Sequence, residues 1–522
     1  TAALRSQAIQ PRLLQPRLAQ DGSPEGPMEE PSPPGPILSG VRTAAVVEGV
    51  TAVEAPILVG DKWALKVILE VATEGEHKSE VPIQSEWFVA IDPVYPLGSI
   101  AVYPSKANSV VPTFQHQEPN LPGPVELPWR TGKICVESPV RCLGLVAGGH
   151  DPVGDREERL RWYLVRAVAW VQAAANGTLI NEGEPFELPR CYASKALRVV
   201  HDESPEAFPS WTSFAGGVWG VAVRDVVPGI EKTELAVAFF TRTGAELVRT
   251  TSRYDEERHG EANAERNTWV WWLWPSPIVV EPWQAPLTWG DLRAVGKAAG
   301  VDVDARLREI ARTIRGKDVG LLLLGYPIPS RYGEEPSEVH WQAVALPKLE
   351  AGGKPPNGFR PNEQGWWQRD RAAVFAGAKP LQYISTANWH PSRLQARGRF
   401  SRCLRDARVS LIGCGALGSL VAELLVRGGV GDLVLIEHDI LAAENLVRHT
   451  LSGHDIGKQK ATALAHKLAT VSPFSAVRAR DIRLPSTRTE VEELLEDRDI
   501  VVDCTAADDV LTALGLGWWT SR

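Results

Sequence analysis

Arg408-Val409-Ser410-Leu411-Ile412-Gly413-Cys414-Gly415-Ala416-Leu417-Gly418 decides how the C-terminal part of this chain folds. Residues 409–412 read as a buried strand, the glycines come directly after it, and residues 417–426 continue with helical apolar spacing. A strand that turns through GxGxxG into a helix sets backbone N–H groups and a positive helix end against phosphate. Taken alone, that fingerprint most often means NAD or FAD. The next elements of the chain point elsewhere. Residues 433–436 form a second strand ending in Glu437-His438-Asp439, where an acid can hold ribose hydroxyls. Glu444-Asn445-Leu446-Val447-Arg448 and Gly457-Lys458-Gln459-Lys460 come after it. A dehydrogenase has no need of an Arg and a Lys converging on the phosphates. Cleavage of ATP between its α- and β-phosphates does, because charge accumulates there in the transition state.

This ordered set resembles the ThiF/MoeB and ubiquitin-activating adenylyltransferases, whose pattern is a GxGxxG, an acid ending the second strand, N-x-x-R and G-x-x-K. The resemblance implies a Rossmann-like domain that uses ATP and Mg²⁺. Gly413, Gly415 and Gly418 would approach the nucleotide, Glu437 the ribose with Asp439 beside it, and Asn445, Arg448 and Lys460 the phosphates, with Arg448 and Lys460 catalytic. Three positions depart from the pattern. Glu437 stands where Asp is usual, and His449 where Gln commonly comes after the Arg. Asp503-Cys504-Thr505-Ala506-Ala507 replaces Asp-Cys-Thr-Asp-Asn. The carboxylate that organises Mg²⁺ must then come from Asp503, Asp508 or Asp509, or the unit is a degenerate scaffold. The metal ligands are left unassigned.

The chain has 522 residues, enough for about three domains, with 44% hydrophobic and 23% charged residues, an ordinary globular balance. A net charge of −8 gives no support for nucleic-acid binding. No apolar run reaches membrane-spanning length, so no membrane partner is expected. Six cysteines without CxxC or framework spacing suit a reducing cytoplasm. The first 40 residues hold eight prolines and predict a disordered tail, 1–40. The adenylation unit, 401–522, ends just past its fourth strand, at residues 500–504, and reads as incomplete.

In the N-terminal third, Trp63, Leu65, Val67, Leu69 and Val71 alternate on one face of a half-buried antiparallel strand. Residues 86–91 and 100–103 give two more strands. Asp155 is placed to cap a helix, with Glu158 as its box partner, that buries Leu160, Tyr163, Leu164, Ala167, Val168, Val171 and Ala174 and stops at Gly177. Glu118-Pro119-Asn120 and Gly132-Lys133-Ile134-Cys135 lie between the strands and the helix. Over residues 41–192 this resembles a prokaryotic ubiquitin-conjugating domain. The resemblance implies that Cys135 carries a thioester and that Asn120 stabilises its oxyanion, with Glu118 standing where the family has His. Lys133 would lower the thiol's pKa by turning toward the sulfur. The alternative for Cys135, and the reading for Cys142 and Cys191, is a buried structural thiol.

Residues 193–400 carry no catalytic signature and read as an α+β linker domain. Residues 234–241 and 319–324 look like buried strands, and 291–315 like one helix. Thr268-Trp269-Val270-Trp271-Trp272-Leu273-Trp274 fits a sheet core better than a binding platform. His201, His259 and His340 show no metal-ligand spacing. Residues 255–258 are a solvated loop, and 352–362 an exposed one. Arg397, Arg399, Arg402 and Arg405 precede the adenylation strand, either on a solvated face or reaching ATP across a dimer.

The whole reads as an α/β multidomain chain resembling the fusion enzymes of CBASS antiphage operons. That implies activation of the C-terminal tail of a ubiquitin-like protein or nucleotide cyclase, transfer to an acceptor amine, and a homodimer through the adenylation domain. The rivals are an NAD(P)-binding Rossmann oxidoreductase, a degenerate ThiF scaffold and a sulfur-carrier activator.

Overall fold

The computed structural model describes residues 31–72, 79–136, 150–212, 218–226, 234–242, 247–250, 268–317, 319–349, 358–394, 398, 400–472, 475–483, 491, 496 and 498–520. The Pro-rich tail to residue 30, Cys142, residues 255–258, His259, residues 351–357, Arg397 and Arg399 lie outside them.

Five strands make the N-terminal sheet: β1 (Val50–Val53), β2 (Ile57–Val59), β3 (Lys62–Glu70), β4 (Gln84–Ile91) and β5 (Ile100–Pro104). They pair antiparallel in the order β1-β3-β4-β5, and β2 also pairs with β3. As the alternation predicts, Trp63, Leu65, Val67, Leu69 and Val71 are all buried. The helices α1 (Gly35–Ala44) and α2 (Glu158–Asn176) bring Ile37, Leu160, Leu164, Ala167 and Val171 into the same core, with Tyr163 and Val168 partly buried against it. The expected capping box does not form. Asp155 accepts the N–H groups of Glu157 and Glu158, while Glu158 turns outward to Arg161, so the helix starts at Glu158. It ends at Gly177, as expected.

Eight strands form the middle unit: β6 (Ala193–His201), β7 (Trp219–Val226), β8 (Glu234–Arg242), β9 (Leu247–Thr250), β10 (Thr268–Leu273), β11 (Leu321–Ile328), β12 (Glu338–Ala345) and β13 (Tyr383–Asn388). Their order is β6-β13-β12-β11-β10-β7-β8-β9, and β6 also pairs with β8, which closes the sheet on itself. The tryptophan run is core on both sides of β10. Trp269 and Trp271 share the inner core with Trp211, Phe240 and Trp341, whereas Trp272 and Trp274 pack outward against two helices. Glu203, fully buried inside, accepts the indole N–H groups of Trp211 and Trp341, each at 3.1 Å, and burial pushes its carboxyl up to about 7. The single helix expected over 291–315 is two, α3 (Trp289–Ala298) and α4 (Val303–Ile314). Asp302 starts the second by accepting the Ala305 N–H at 2.9 Å.

The C-terminal unit is doubly wound: β14 (Arg408–Ile412), α5 (Ala416–Arg427), β15 (Asp432–Ile436), α6 (Lys460–Val471), β16 (Ala476–Arg480), β17 (Ile500–Asp503) and α7 (Asp508–Thr520). All four strands are parallel, in the order β16-β15-β14-β17. The order reverses at β14, and in such sheets ligands sit outside the carboxyl ends at that reversal. Gly413–Gly418 leave β14 at that end, as predicted. Among the described residues, no helix is long and apolar enough to cross a membrane.

Candidate functional sites

A crevice of about 970 Å³ opens at the reversal point, lined by Gly413, Gly415, Glu437, Asp439, Lys460 and Asp509 among others. The glycine turn is there because a Cβ on Gly418 would lie 1.8 Å from the Gly413 carbonyl oxygen. At Gly415 a Cβ would meet no protein atom within 4 Å and would project into open space, the room a phosphate needs to reach the backbone. One wall is apolar, with Ile412, Ile436, Ile482, Val510 and Ala513.

Lys460 opens α6 with its side chain only 9% exposed, and its Nζ lies 3.0 Å from Asp439 Oδ2. Glu437 has its carboxylate on the backbone: Oε2 accepts the Cys414 N–H at 3.1 Å, and Oε1 those of His438 and Asp439. His449 is buried beneath the glycine turn. Its Nδ1 accepts the Leu451 N–H at 3.1 Å, so Nε2 carries the proton and donates to the Cys414 carbonyl at 2.7 Å. A neutral imidazole thus offers one donor and one acceptor, as a Gln amide would. Burial lowers its pKa from the ordinary value. Cys414 is fully buried, and its thiol is pushed up to about 12, out of thiolate chemistry.

Asn445 and Arg448 do not line the crevice, contrary to expectation. Asn445 closes a turn, its Oδ1 accepting the Ala442 N–H at 3.0 Å. With His449 turned inward, its neighbour Arg448 faces outward and is exposed. Asp503 ends β17 at the crevice rim, with Oδ1 held by the N–H and hydroxyl of Thr505. Of the three carboxylates considered as substitutes, Asp509 lines the crevice. Arg483, three residues past β16 and also on the wall, was missed. Its place beyond the carboxyl end of a parallel strand was the available signal.

The second site surrounds Cys135. It lies on an irregular segment beside β5, where the Ile134 N–H meets the Val102 carbonyl at 3.1 Å and the Cys135 N–H meets the His116 carbonyl at 2.7 Å. Cys135 is partly buried and lines a cavity of about 200 Å³ with His116, Glu118, Lys133, Tyr163 and Arg190. Lys133 stands 3.6 Å from Glu118, so its charge is paired there. Asn120 is not placed as expected. It is 1% exposed, its Nδ2 lies at 2.9, 3.2 and 3.1 Å from the carbonyls of Val110, Val111 and Pro112, and its Oδ1 accepts from Arg130. The amide holds two loops together, which leaves it no donor for an oxyanion. Cys191 is a partly buried thiol pushed up to about 11 by desolvation.

Comparison with known proteins divides the chain at similar places. Residues 177–389 match the family model described as the Cap2 central linker domain, and residues 393–512 match the ThiF family. The ATP-dependent ubiquitin transferase-like protein Cap2 of Enterobacter hormaechei subsp. hoffmannii is 32% identical over 466 residues, which cover 88% of this chain and 76% of that protein. The molybdopterin-synthase adenylyltransferase of Escherichia coli is 31% identical over 120 residues, 23% of this chain and 47% of that one. The crystal structure of E. coli tRNA N6-threonylcarbamoyladenosine dehydratase with ATP matches at 26% identity and a TM-score of 0.21, over 24% of this chain and 51% of that one.

Proposed function

Because this chain belongs to the Cap2 family of ATP-dependent ubiquitin transferase-like proteins, we propose that its C-terminal unit adenylates a protein's terminal carboxylate, which then passes through Cys135 to an amine. The observation that carries this reading is Lys460, a cation almost out of solvent at the start of α6, paired with Asp439 on the wall of the crevice that Gly415 also borders. The relatives named for adenylyl transfer over the ThiF segment support ATP as the nucleotide.

In this scheme the apolar wall takes the base, Glu437 and Asp439 the ribose, and Gly415 the phosphates. The carboxylate attacks the α-phosphorus, the bond to the β-phosphate breaks and pyrophosphate leaves. Lys460 offsets the charge that builds on the phosphates. Asp509 is a hard oxygen donor that would suit Mg²⁺, which would neutralise phosphate charge, whereas Ala506 brings no side-chain oxygen. A thiol then attacks the acyl carbon, the bond to the adenylate oxygen breaks and AMP leaves, and the acyl group reaches Cys135 by exchange of thioesters. A thioester stays reactive toward amines, so the last step leaves an amide. The activated tail is assigned to a ubiquitin-like protein or a nucleotide cyclase of an antiphage system. A homodimer is proposed through α5, whose Leu417, Leu420 and Leu424 are 62%, 51% and 63% exposed on one face.

The test is exchange of labelled pyrophosphate into ATP by the full chain, with a peptide or protein ending in a glycine carboxylate. ATP-dependent exchange supports the reading. Reduction of a nicotinamide dinucleotide without exchange would replace it with the oxidoreductase.

A further inference from the structure

We propose that His116 is the acid–base residue of the Cys135 site, and that Glu187, held in place by the barrel unit, orients it. The inference rests on the transfer role proposed for Cys135 and adds the group that moves its protons.

Four observations meet at this point. His116 and Cys135 line one cavity, and the His116 carbonyl accepts the Cys135 N–H at 2.7 Å, so the two residues are fixed side by side. His116 holds a left-handed backbone with φ of 54°, a conformation that L-residues rarely adopt. Such strain persists only where the surroundings enforce it, and it gathers at functional sites. Glu187 supplies the enforcement: its Oε2 accepts the His116 N–H at 2.9 Å and lies 3.5 Å from the ring Nδ1. That second separation is an ion-pair distance rather than a hydrogen bond, and such contacts often tighten only in the reacting complex. Finally, His116 Nε2 is buried with no hydrogen-bond partner. With the proton on Nδ1 toward Glu187, Nε2 is an unpartnered acceptor on a residue that shares its cavity with Cys135.

Glu187 does not depend on the N-terminal unit alone. Its N–H donates to the Tyr332 hydroxyl at 3.3 Å, and its carbonyl accepts the indole N–H of Trp283 at 3.2 Å. Trp283 also reaches the Thr113 carbonyl at 3.0 Å, and Phe186 packs on both rings. The middle unit thus holds the backbone of the residue whose carboxylate meets His116.

The proton balance closes. The Cys135 Sγ–H proton moves to His116 Nε2 as sulfur attacks the donor acyl carbon. The donor's bond to its leaving thiol breaks, and that thiolate takes the proton back from the imidazolium. When an amine attacks the new thioester, its proton goes to Nε2, the carbon–sulfur bond breaks, and the Cys135 thiolate is reprotonated. The other charged or titratable groups facing this space are Glu118, Lys133, Tyr163 and Arg190, with Arg166 donating to the Val136 carbonyl beside it. Lys133 is paired with Glu118, and Tyr163 is desolvated, its hydroxyl raised to about 12. Among the described residues, the cavity's imidazole is His116 alone.

The test reads the thiol directly and needs neither ATP nor a protein tail. The full chain is alkylated with iodoacetamide from pH 5.5 to 9.5, and each cysteine is tracked by mass spectrometry, with exposed Cys403 as the reagent control. His116→Gln should slow alkylation of Cys135 at pH 7 by about ten-fold, as a one-unit rise in thiol pKa would. Its pH profile should move upward. Glu187→Gln and Trp283→Ala should shift the profile the same way by less, while Cys191 and Cys414 remain slow in every variant. An unchanged Cys135 profile in both His116→Gln and Glu187→Gln overturns the proposal, as does a wild-type Cys135 no faster than Cys191. If His116→Gln does not fold, the Glu187→Gln profile decides alone. Pyrophosphate exchange, measured in parallel, should be unaffected by these variants, so a failed adenylation reading is distinguished from a failed dyad.

Discussion

In the C-terminal crevice, Gly415, Glu437, Asp439 and Lys460 come from consecutive strand ends and turns of one short stretch of chain. At the N-terminal cavity, Cys135, His116 and Tyr163, with Glu187 against His116, come from four separate segments, the last of them clamped by the middle unit. The first site is positioned by a local supersecondary unit, so its geometry is set by its spacing. The second is positioned by tertiary packing between two units. The same contrast separates the thiols: desolvation raises Cys414 to about 12 under the glycine turn, whereas Cys135 lines a cavity with ionisable neighbours.

If the two sites are separate stations, their variants should dissociate. Lys460→Ala should cost about 3–4 kcal/mol of transition-state stabilisation, or roughly 10²–10³ in pyrophosphate exchange. Cys135→Ser should leave that exchange intact and stop transfer to amines. Parallel losses in both variants would merge the sites and break the comparison. Asn120→Ala sharpens the account of the N-terminal unit. Removing a buried amide that serves three carbonyls and Arg130 should destabilise that unit by about 1–3 kcal/mol in denaturant unfolding. An unchanged stability with a transfer defect would return Asn120 to the oxyanion.

The third expectation is a pH dependence belonging to the C-terminal unit. Burial depresses the His449 pKa in the folded protein, so on acidification the unfolded chain takes the proton first. Stability should therefore fall as pH drops through the unfolded value of about 6.5 toward the lower folded one. His449→Gln, which keeps one donor and one acceptor, should flatten that part of the thermal melting profile between pH 7.5 and 5. A profile identical to wild type would remove His449 as its source. The smallest effect is at Ala506, whose φ of 55° is left-handed. Ala506→Asn should stabilise the unit by up to about 1 kcal/mol, because Asn tolerates that conformation better.

Much of this was legible in the sequence, for identifiable reasons. The strand–glycine–helix order fixed β14, α5 and β15, and the alternation through Trp63 and Val71 fixed the buried face of β3. Aromatic crowding around Trp271 correctly read as core. The closure of the barrel was not legible, because β6 pairs with both β13 and β8 through contacts far apart in the chain. Neither was the tie between His116 and Glu187, 71 residues apart. Asn120 was misplaced because Pro-Asn spacing says nothing of which carbonyls an amide meets. Arg448 was misplaced because the burial of His449 sets the side on which its neighbour falls.

The central claim, that the C-terminal crevice is built for the triphosphate of ATP, is tested most directly by calorimetric titration of the full chain with ATP and with NAD⁺. ATP should bind, NAD⁺ should give no saturable heat, and Lys460→Ala should weaken ATP by roughly ten-fold or more, the worth of a charge-assisted contact. Saturable binding of NAD⁺ with none of ATP, or ATP binding indifferent to Lys460, would contradict it.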